Sequence, residues 1–358
     1  MKALTVIGAR PQFIKAAPLS QALRRRHREV LVHTGQHYDH RMSRQFFREM
    51  RIPAPDYNLG VGSGSHGGQT GAMLVKLEAV MLRERPDVVV IFGDTNSTLA
   101  AALTAAKLGI PVAHIEAGMR SFNRAMPEEI NRVVADHLAG GHFCSTPTAV
   151  RNLGREGVRS GVFLVGDIMV DALRLLLPDP GRTAAILRRH RVRPGQYVFA
   201  TIHRAENTDR RENLCQIAAA LSGCGRQVVF PVHPRTRGCL ARFGLLERLS
   251  RTPSVRMVEP VGYAESLALQ SRAAAVLTDS GGLQKEAYLL RTPCVTARTE
   301  TEWVETVAAG WNTIAGPGAD RILRALDAAQ RPRAHPAFYG TGGTAPRIVR
   351  CLERWLGR

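Results

Sequence analysis

Apolar positions along the chain follow two alternating rhythms. Short runs rich in β-branched residues, bounded by Gly or Pro, fall at 4–7, 29–33, 88–92, 112–115 and 162–165. Between them the apolar spacing lengthens to that of a helix at 11–23, 70–83, 97–108 and 127–138. Strand-sized runs that are apolar throughout, separated by amphipathic helices, predict parallel sheets covered by helices. Pro178-Asp179-Pro180-Gly181 interrupts the rhythm, and a linker is expected there because the tetrad breaks both helix and strand. Strands then resume at 198–202, 228–232, 255–258, 274–278 and 294–297. A final helix is expected at 346–355, after a turn holding Gly340, Gly342 and Gly343. The expected fold class is α/β: two doubly wound domains facing a cleft, 1–177 and 178–340, followed by a terminal helix within 341–358.

Composition narrows the function classes. A chain of 358 residues is long for one core and comfortable for two. With 44% hydrophobic and 22% charged residues, disorder, a collagen repeat and a disulfide scaffold are excluded. No apolar run reaches the roughly 18 residues of a membrane span, and the N-terminus enters a strand directly, so a cytoplasmic protein without a membrane partner is expected. Six scattered cysteines form no C-x-x-C pair, which predicts reduced thiols and no zinc site. A net charge of +19 invites nucleic acid as a partner. Yet only five of the 49 basic residues are lysine, Arg24–Arg26 is the one tight run, and no aromatic-interleaved basic stripe occurs. A small anionic substrate fits that distribution better than nucleic acid.

In open α/β sheets ligands bind beyond the carboxyl ends of the strands. The polar residues there are Arg10, Asp94 and Glu116 in the first half, and His203, His233 and the turn Asp279-Ser280-Gly281-Gly282 in the second. The Ser-Gly-Gly turn ahead of a helix expected at 283–290 suits an anion, because free N–H groups gather at a positive helix end. It equally suits an ordinary turn with an Asp or Ser cap. Glu286 either reaches a ribose or lies on a solvated helix face. Asp94 is a proton-transfer group or a cap for the next helix; Glu116 is a proton-transfer group or a partner for Arg120. Glu128 stands where any helix favours a negative residue. His203 and His233 are either structural hydrogen-bonders or reactive groups. The stretch 62–67 matches G-x-G-x-x-G in form only, since no βαβ strand precedes it. A P-loop, an H-E-x-x-H site and a G-x-S-x-G elbow are all missing from the sequence.

Seven segments in order are familiar. They are Gly8-Ala9-Arg10-Pro11, Gly93-Asp94-Thr95-Asn96-Ser97-Thr98, His114-Ile115-Glu116-Ala117-Gly118, Met126-Pro127-Glu128-Glu129-Ile130-Asn131-Arg132, His203-Arg204-Ala205-Glu206-Asn207, Pro231-Val232-His233-Pro234 and Thr278-Asp279-Ser280-Gly281-Gly282-Leu283-Gln284-Lys285-Glu286. Together they resemble the non-hydrolysing UDP-N-acetylglucosamine 2-epimerases over nearly the whole chain.

The resemblance implies a glycosyltransferase-B-like pair of Rossmann-type domains, a homodimer, and a last helix that crosses back to the first domain. It implies UDP on the second domain, with Ser280, Gly281, Gly282 and His203 at the diphosphate and Glu286 at the ribose. The backbone near Val261 would meet uracil, Arg10 would reach the diphosphate with Lys15 behind it, and His233 and Arg298 would join the substrate-binding set. Asp94, Glu116 and Glu128 would surround the sugar, with His203 counted among the catalytic groups. The family chemistry eliminates UDP across C1–C2 to a 2-acetamidoglucal and adds it back with the proton on the other face. That chemistry requires no nicotinamide cofactor and no metal.

Two departures bear on the sugar and on regulation. Trp303 in Thr301-Glu302-Trp303-Val304-Glu305 replaces an arginine common in the family. With Thr34-Gly35-Gln36-His37-Tyr38-Asp39 it resembles the branch that includes epimerases of UDP-2,3-diacetamido-2,3-dideoxyglucuronic acid. Some of the many arginines could pair with the 6-carboxylate of such a sugar. The stretch 69–79 lacks the arginine that bacterial relatives use to bind an activating second UDP-GlcNAc. A glycosyltransferase of the same fold and a non-catalytic UDP-sugar sensor are the alternatives from other classes.

Overall fold

The computed structural model describes residues 1–36, 47 and 49–357. His37, Tyr38 and Asp39 of the expected 34–39 motif lie outside the described residues. The chain divides into two compact units, one formed by Met1–Leu175 with Ala337–Arg358 and the other by Leu176–Pro336.

In the first unit, among the described residues, seven parallel strands lie in the order β3-β2-β1-β4-β5-β6-β7. They are β1 (Lys2–Ile7), β2 (Arg28–His33), β3 (Tyr57–Asn58), β4 (Val88–Phe92), β5 (Val112–Ile115), β6 (Gly141–Cys144) and β7 (Val162–Leu164). Leu4 of β1 sits beside Val30 of β2 on one side and Val89 of β4 on the other. Every residue of β4 is buried, as expected of a strand covered on both faces. On one face Leu4, Val6, Val89 and Ile91 pack with Met73 and Leu77 and with Ala100, Ala101 and Ala105. The small alanines let the helix Asn96–Lys107 sit close to the sheet. The last helix, Thr344–Trp355, belongs to this unit and packs on the helix Arg10–Arg24 and on β6. Its Trp355 ring covers Gly140 and Gly141, where an added Cβ would come within 2.9 Å of the indole.

In the second unit the described strands are β8 (Tyr197–Thr201), β9 (Gln227–Pro231), β10 (Val255–Val258), β11 (Ala275–Thr278), β12 (Cys294–Thr296) and β13 (Asn312–Ile314). They are parallel, in the order β10-β9-β8-β11-β12-β13. Val198, Ala200, Val228, Phe230, Ala275 and Leu277 centre the core. Each unit therefore repeats one Rossmann-like pattern, with its strand order reversing beside its first strand. Those reversals, β1/β4 and β8/β11, are where ligand sites arise in such sheets.

Two features depart from the sequence expectation. Pro178 and Asp179 do separate two helices, Ile168–Leu176 and Pro180–Arg189, close to the boundary of the units at Leu175/Leu176, but Pro180 and Gly181 already belong to the second helix, which Asp179 caps by accepting from the Arg182 N–H at 2.9 Å. Proline breaks a helix interior yet suits its first position, where the missing N–H costs nothing. Strands β3, β6 and β13 are also additional. They are two to four residues long, too short to show a period. No helix among the described residues is long and apolar enough to cross a membrane.

Candidate active site

At the first reversal, β1 ends against a crowded turn. A Cβ on Gly8 would fall 2.1 Å from Ser97 Oγ and 2.2 Å from Thr34 Oγ1, so only glycine fits. The buried Gln12 amide ties the two strand ends together. Its oxygen accepts from the Gly8 and Ala9 N–H groups at 2.8 and 3.0 Å. Its nitrogen donates to the Phe92 carbonyl at 2.9 Å and to Thr98 Oγ1 at 3.0 Å. Arg10 is exposed at the start of its helix, and Lys15, one turn on, is half-buried.

Asp94 follows β4 and is ion-paired with Arg132 of the helix Pro127–Leu138. It does not cap the next helix: Thr95 does, accepting from the Thr98 N–H at 3.3 Å. Glu116, after β5, pairs with Lys15 and not with Arg120. Arg120 instead binds Asp136 at 2.7 Å and Glu156 at 2.7 and 2.5 Å. Both Glu116 Oε2 and Lys15 Nζ lie within 4 Å of where a Gly93 Cβ would sit, so the Lys15–Glu116 pair flanks the turn that carries Asp94. Two carboxylates, each with its own cation, thus stand at adjacent strand ends.

Glu128 is exposed at the start of the helix Pro127–Leu138, whereas Glu129 turns inward. The Glu129 carboxylate accepts from the Ser121 N–H, the Ser121 hydroxyl and the Phe122 N–H, all at 2.9 Å. Burial pushes that carboxyl up, but these bonds and the Arg132 charge outweigh it, so it ionises below its ordinary range. The sequence analysis gives no role to Glu129 and Arg132, although both stand in the segment Met126–Arg132, and does not single out Asp136. The available signal was their i, i+3, i+7 spacing, which puts all three on one helix face.

The second reversal is built differently. Asp279, fully buried after β11, accepts from the His203 N–H at 3.1 Å, the Arg204 N–H at 3.0 Å and Asn207 Nδ2 at 3.0 Å. It therefore braces the turn after β8 and leaves its own helix alone. Ser280 makes no side-chain cap bond either, so the helix Gly281–Leu289 opens on Gly281 and Gly282 without a side-chain cap. Trp303 leans over this end, its Nε1 donating to the Gly281 carbonyl at 2.7 Å and its ring 4.6 Å from Lys285 Nζ. Arg298 is buried beside Glu302 at 3.1 Å and Glu206 at 3.4 Å.

Glu286 does not lie on a solvated face. It is buried and accepts from the Tyr263 hydroxyl at 3.1 Å and from Gln270 Nε2 at 3.0 Å. The His203 and His233 rings lie 6.1 Å apart. His203 is half-exposed, with Nδ1 3.6 Å from Asp279, and exposed His233 accepts from the Arg235 N–H at 3.3 Å. Val261, half-buried, stands two residues ahead of the helix Tyr263–Arg272. An uncapped helix start with histidines and a buried arginine nearby suits an anion, and a buried carboxylate one turn along suits hydroxyl donors.

The family model described as UDP-N-acetylglucosamine 2-epimerase matches residues 21–353. The chain belongs to the UDP-N-acetylglucosamine 2-epimerase family. A UDP-N-acetylglucosamine 2-epimerase homolog of Methanococcus maripaludis is 48% identical over 99% of both chains. The UDP-2,3-diacetamido-2,3-dideoxy-D-glucuronate 2-epimerase of Pseudomonas aeruginosa is 44% identical over 99% of this chain and all of its own. Among solved structures, Methanocaldococcus jannaschii UDP-GlcNAc 2-epimerase in complex with UDP-GlcNAc and UDP superposes with a TM-score of 0.87 at 41% identity, covering 99% of this chain and 100% of that one. The epimerase fold is thus the glycosyltransferase-B-like architecture of two Rossmann-like units. Within this family, the present chain has a tryptophan at 303 and, from Gln69 to Ala79, no arginine on the helix His66–Glu84. Gln69 is engaged internally there, donating to the Gly62 carbonyl at 2.7 Å and accepting from Asn96 at 2.9 Å.

Proposed function

We propose that the chain interconverts UDP-N-acetylglucosamine and UDP-N-acetylmannosamine without hydrolysis, by eliminating UDP and adding it back. The observation that carries this reading is the pair of carboxylates, Asp94 and Glu116, at adjacent strand ends with Arg132 and Lys15 as separate counterions. A transferase or a sensor of the same fold has no use for two such groups. The C2 proton of the sugar has no neighbouring carbonyl, so simple deprotonation is prohibitive. In the proposed step one carboxylate takes that proton while the C1–O bond breaks, its electron pair leaving with UDP and a C1=C2 bond forming. The intermediate is 2-acetamidoglucal. In the return step the other residue, acting as the acid, gives its proton to the opposite face of C2 as the phosphate oxygen re-bonds to C1, and proton exchange with solvent then resets the two groups. Glu128, exposed at its helix start, relays protons or tunes the pair.

UDP departure needs stabilisation of the diphosphate. Gly281 and Gly282 supply uncapped N–H groups and Ser280 its hydroxyl, with His203, His233, Arg298 and Arg10 adding donors and positive charge. Glu286 accepts from the ribose hydroxyls, and the backbone around Val261 meets uracil. The working form is a cytoplasmic homodimer. Val75, Leu82, Ile130 and Val134, exposed on helices that both flank Asn96–Lys107, offer an apolar face for the second copy, which light scattering would test.

A second reading has the same chemistry on UDP-2,3-diacetamido-2,3-dideoxyglucuronic acid, favoured by Trp303 and by the similarity to the Pseudomonas aeruginosa enzyme. Proton NMR in D2O decides between them. Deuterium at C2 of UDP-GlcNAc with UDP-ManNAc appearing is the expected result. Exchange confined to the diacetamido-uronate selects the second reading. Exchange with neither sugar, in protein that binds UDP, overturns epimerisation.

A further inference from the structure

The helix Pro127–Leu138 buries two carboxylates that no proposed step uses, Glu129 and Asp136, and only Asp136 reaches both proton-transfer turns. Asp136 is 1% exposed, and its two oxygens serve two different turns. Oδ1 lies 2.7 Å from His114 Nδ1, and the opposite ring nitrogen of His114 lies 2.7 Å from the carbonyl of Gly93, the residue before Asp94. Oδ2 accepts from the Gly118 N–H at 3.0 Å and from Arg120 Nη1 at 2.7 Å, and Gly118 stands two residues after Glu116. Glu156 clamps Arg120 from its other side.

The two turns need such an anchor. Gly93 has φ +61°, Glu116 φ +68° and Gly118 φ +77°. Glycine tolerates that left-handed region freely, whereas a glutamate is strained there and persists only when its surroundings over-determine it. Gly118 cannot carry a side chain, since its Cβ would fall 2.3 Å from the Ala149 carbonyl oxygen. Burial pushes the Asp136 carboxyl up, but the charges and hydrogen bonds of His114 and Arg120 outweigh it and hold it at about 2.

We propose that Asp136 is a positioning residue for the proton-transfer pair. Through His114 it holds the turn of Asp94, and through Gly118 it holds the turn of Glu116, so one carboxylate sets the separation and aim of two others without touching substrate. This rests on the functional reading above. Delivering a proton to the face opposite the one that lost it leaves little tolerance, since misplacement by about 1 Å can cost about 100-fold in rate.

Two variants separate geometry from charge. In Asp136→Asn the amide oxygen can accept from Gly118 and Arg120 while its nitrogen donates to His114 Nδ1, so both arms survive. Asp136→Ala cuts both. Asp136→Ala is expected to lower kcat about 10- to 100-fold with UDP affinity within about twofold of wild type, and Asp136→Asn to stay within about threefold in kcat. Equal loss in both variants, unchanged kcat in Asp136→Ala, or UDP affinity falling in step with kcat overturns the proposal. If Asp136→Ala does not fold, His114→Gln, which disturbs the Gly93 arm, is expected to lower kcat with UDP affinity kept; unchanged kcat overturns the proposal. Amide hydrogen exchange gives a readout independent of turnover. Protection over 93–95 and 116–120 is expected to fall at least about tenfold in Asp136→Ala, or in His114→Gln over 93–95, and unchanged protection refutes the anchor. Wild-type protein inactive on both sugars defeats the functional reading alone, and the exchange data still decide whether Asp136 anchors the two turns.

Discussion

Asp94 and Asp279 occupy corresponding places, each following the strand just across the reversal in its own sheet, and the fold uses them in opposite ways. Asp94 keeps its carboxylate one-third exposed, ion-paired with Arg132, because Thr95 takes over the helix cap. Asp279 is fully buried, its oxygens taken by the N–H groups of His203 and Arg204 and by Asn207, and its helix is left without a side-chain cap. One unit thus frees a carboxylate and closes a helix end. The other closes the carboxylate and frees the helix end. The same strand order leaves a partly exposed, ion-paired carboxylate in one case and an uncapped helix start in the other, through which neighbour supplies the cap.

The sharpest way to break this comparison is to neutralise each aspartate. Asp94→Asn is expected to lower C2 solvent exchange about 1000-fold with UDP binding retained and the fold intact, since Thr95 still caps the helix. An NMR exchange rate near wild type would remove Asp94 from proton transfer. Asp279→Asn is expected to act first on stability. An amide has one acceptor oxygen where the carboxylate offered two, and its NH2 must face other donors, a loss of about 2–3 kcal/mol that a urea titration reads. Unchanged stability would make Asp279 a spare group and not a brace.

Acid should expose a smaller term in the first unit. The Asp136 carboxyl ionises near 2 in the fold, below its ordinary 3.8. The lowered value means that its contribution is complete above about pH 4 and is lost as pH falls toward 2. The expected size is about 2 kcal/mol, absent in Asp136→Asn, and checked by unfolding wild type and variant between those pH values. The smallest expected effect belongs to the cradle. His203→Ala should weaken UDP binding about tenfold by calorimetry, about 1.4 kcal/mol, with the fold unchanged because the variant keeps the 3.1 Å bonds from the His203 N–H to Asp279 and loses only the longer 3.6 Å ring contact. Equal affinity would take His203 out of the diphosphate site.

Much of this was legible in the residues. The apolar rhythm marked β4, β5 and β10 at the bounds they have; β4 and β5 are buried along their whole length, whereas β10, at the sheet edge, is buried only at Val255. The polar residues just past the apolar runs 88–92, 112–115, 198–202 and 274–278 include Asp94, Glu116, His203 and the Ser-Gly-Gly turn, and the ordered motifs point to the epimerase family. A weaker local signal held only in part: Pro178 and Asp179 do separate two helices, yet Pro180 and Gly181, read as breakers, start the second one.

The α/β alternation, the family and the residue types at the strand ends are thus written in the order of residues alone. Each follows from short-range rules of burial, turn chemistry and motif order. Tertiary structure alone decided who pairs with whom. Lys15 meets Glu116 from 101 positions away, and Arg132 meets Asp94 from 38. Tertiary structure also decided that Thr95 caps where Ser280 does not, and that Asp136 reaches both turns. A carboxylate is a base, a brace or an anchor according to the donors within about 3 Å of it, and that distance is set by the packing of distant segments.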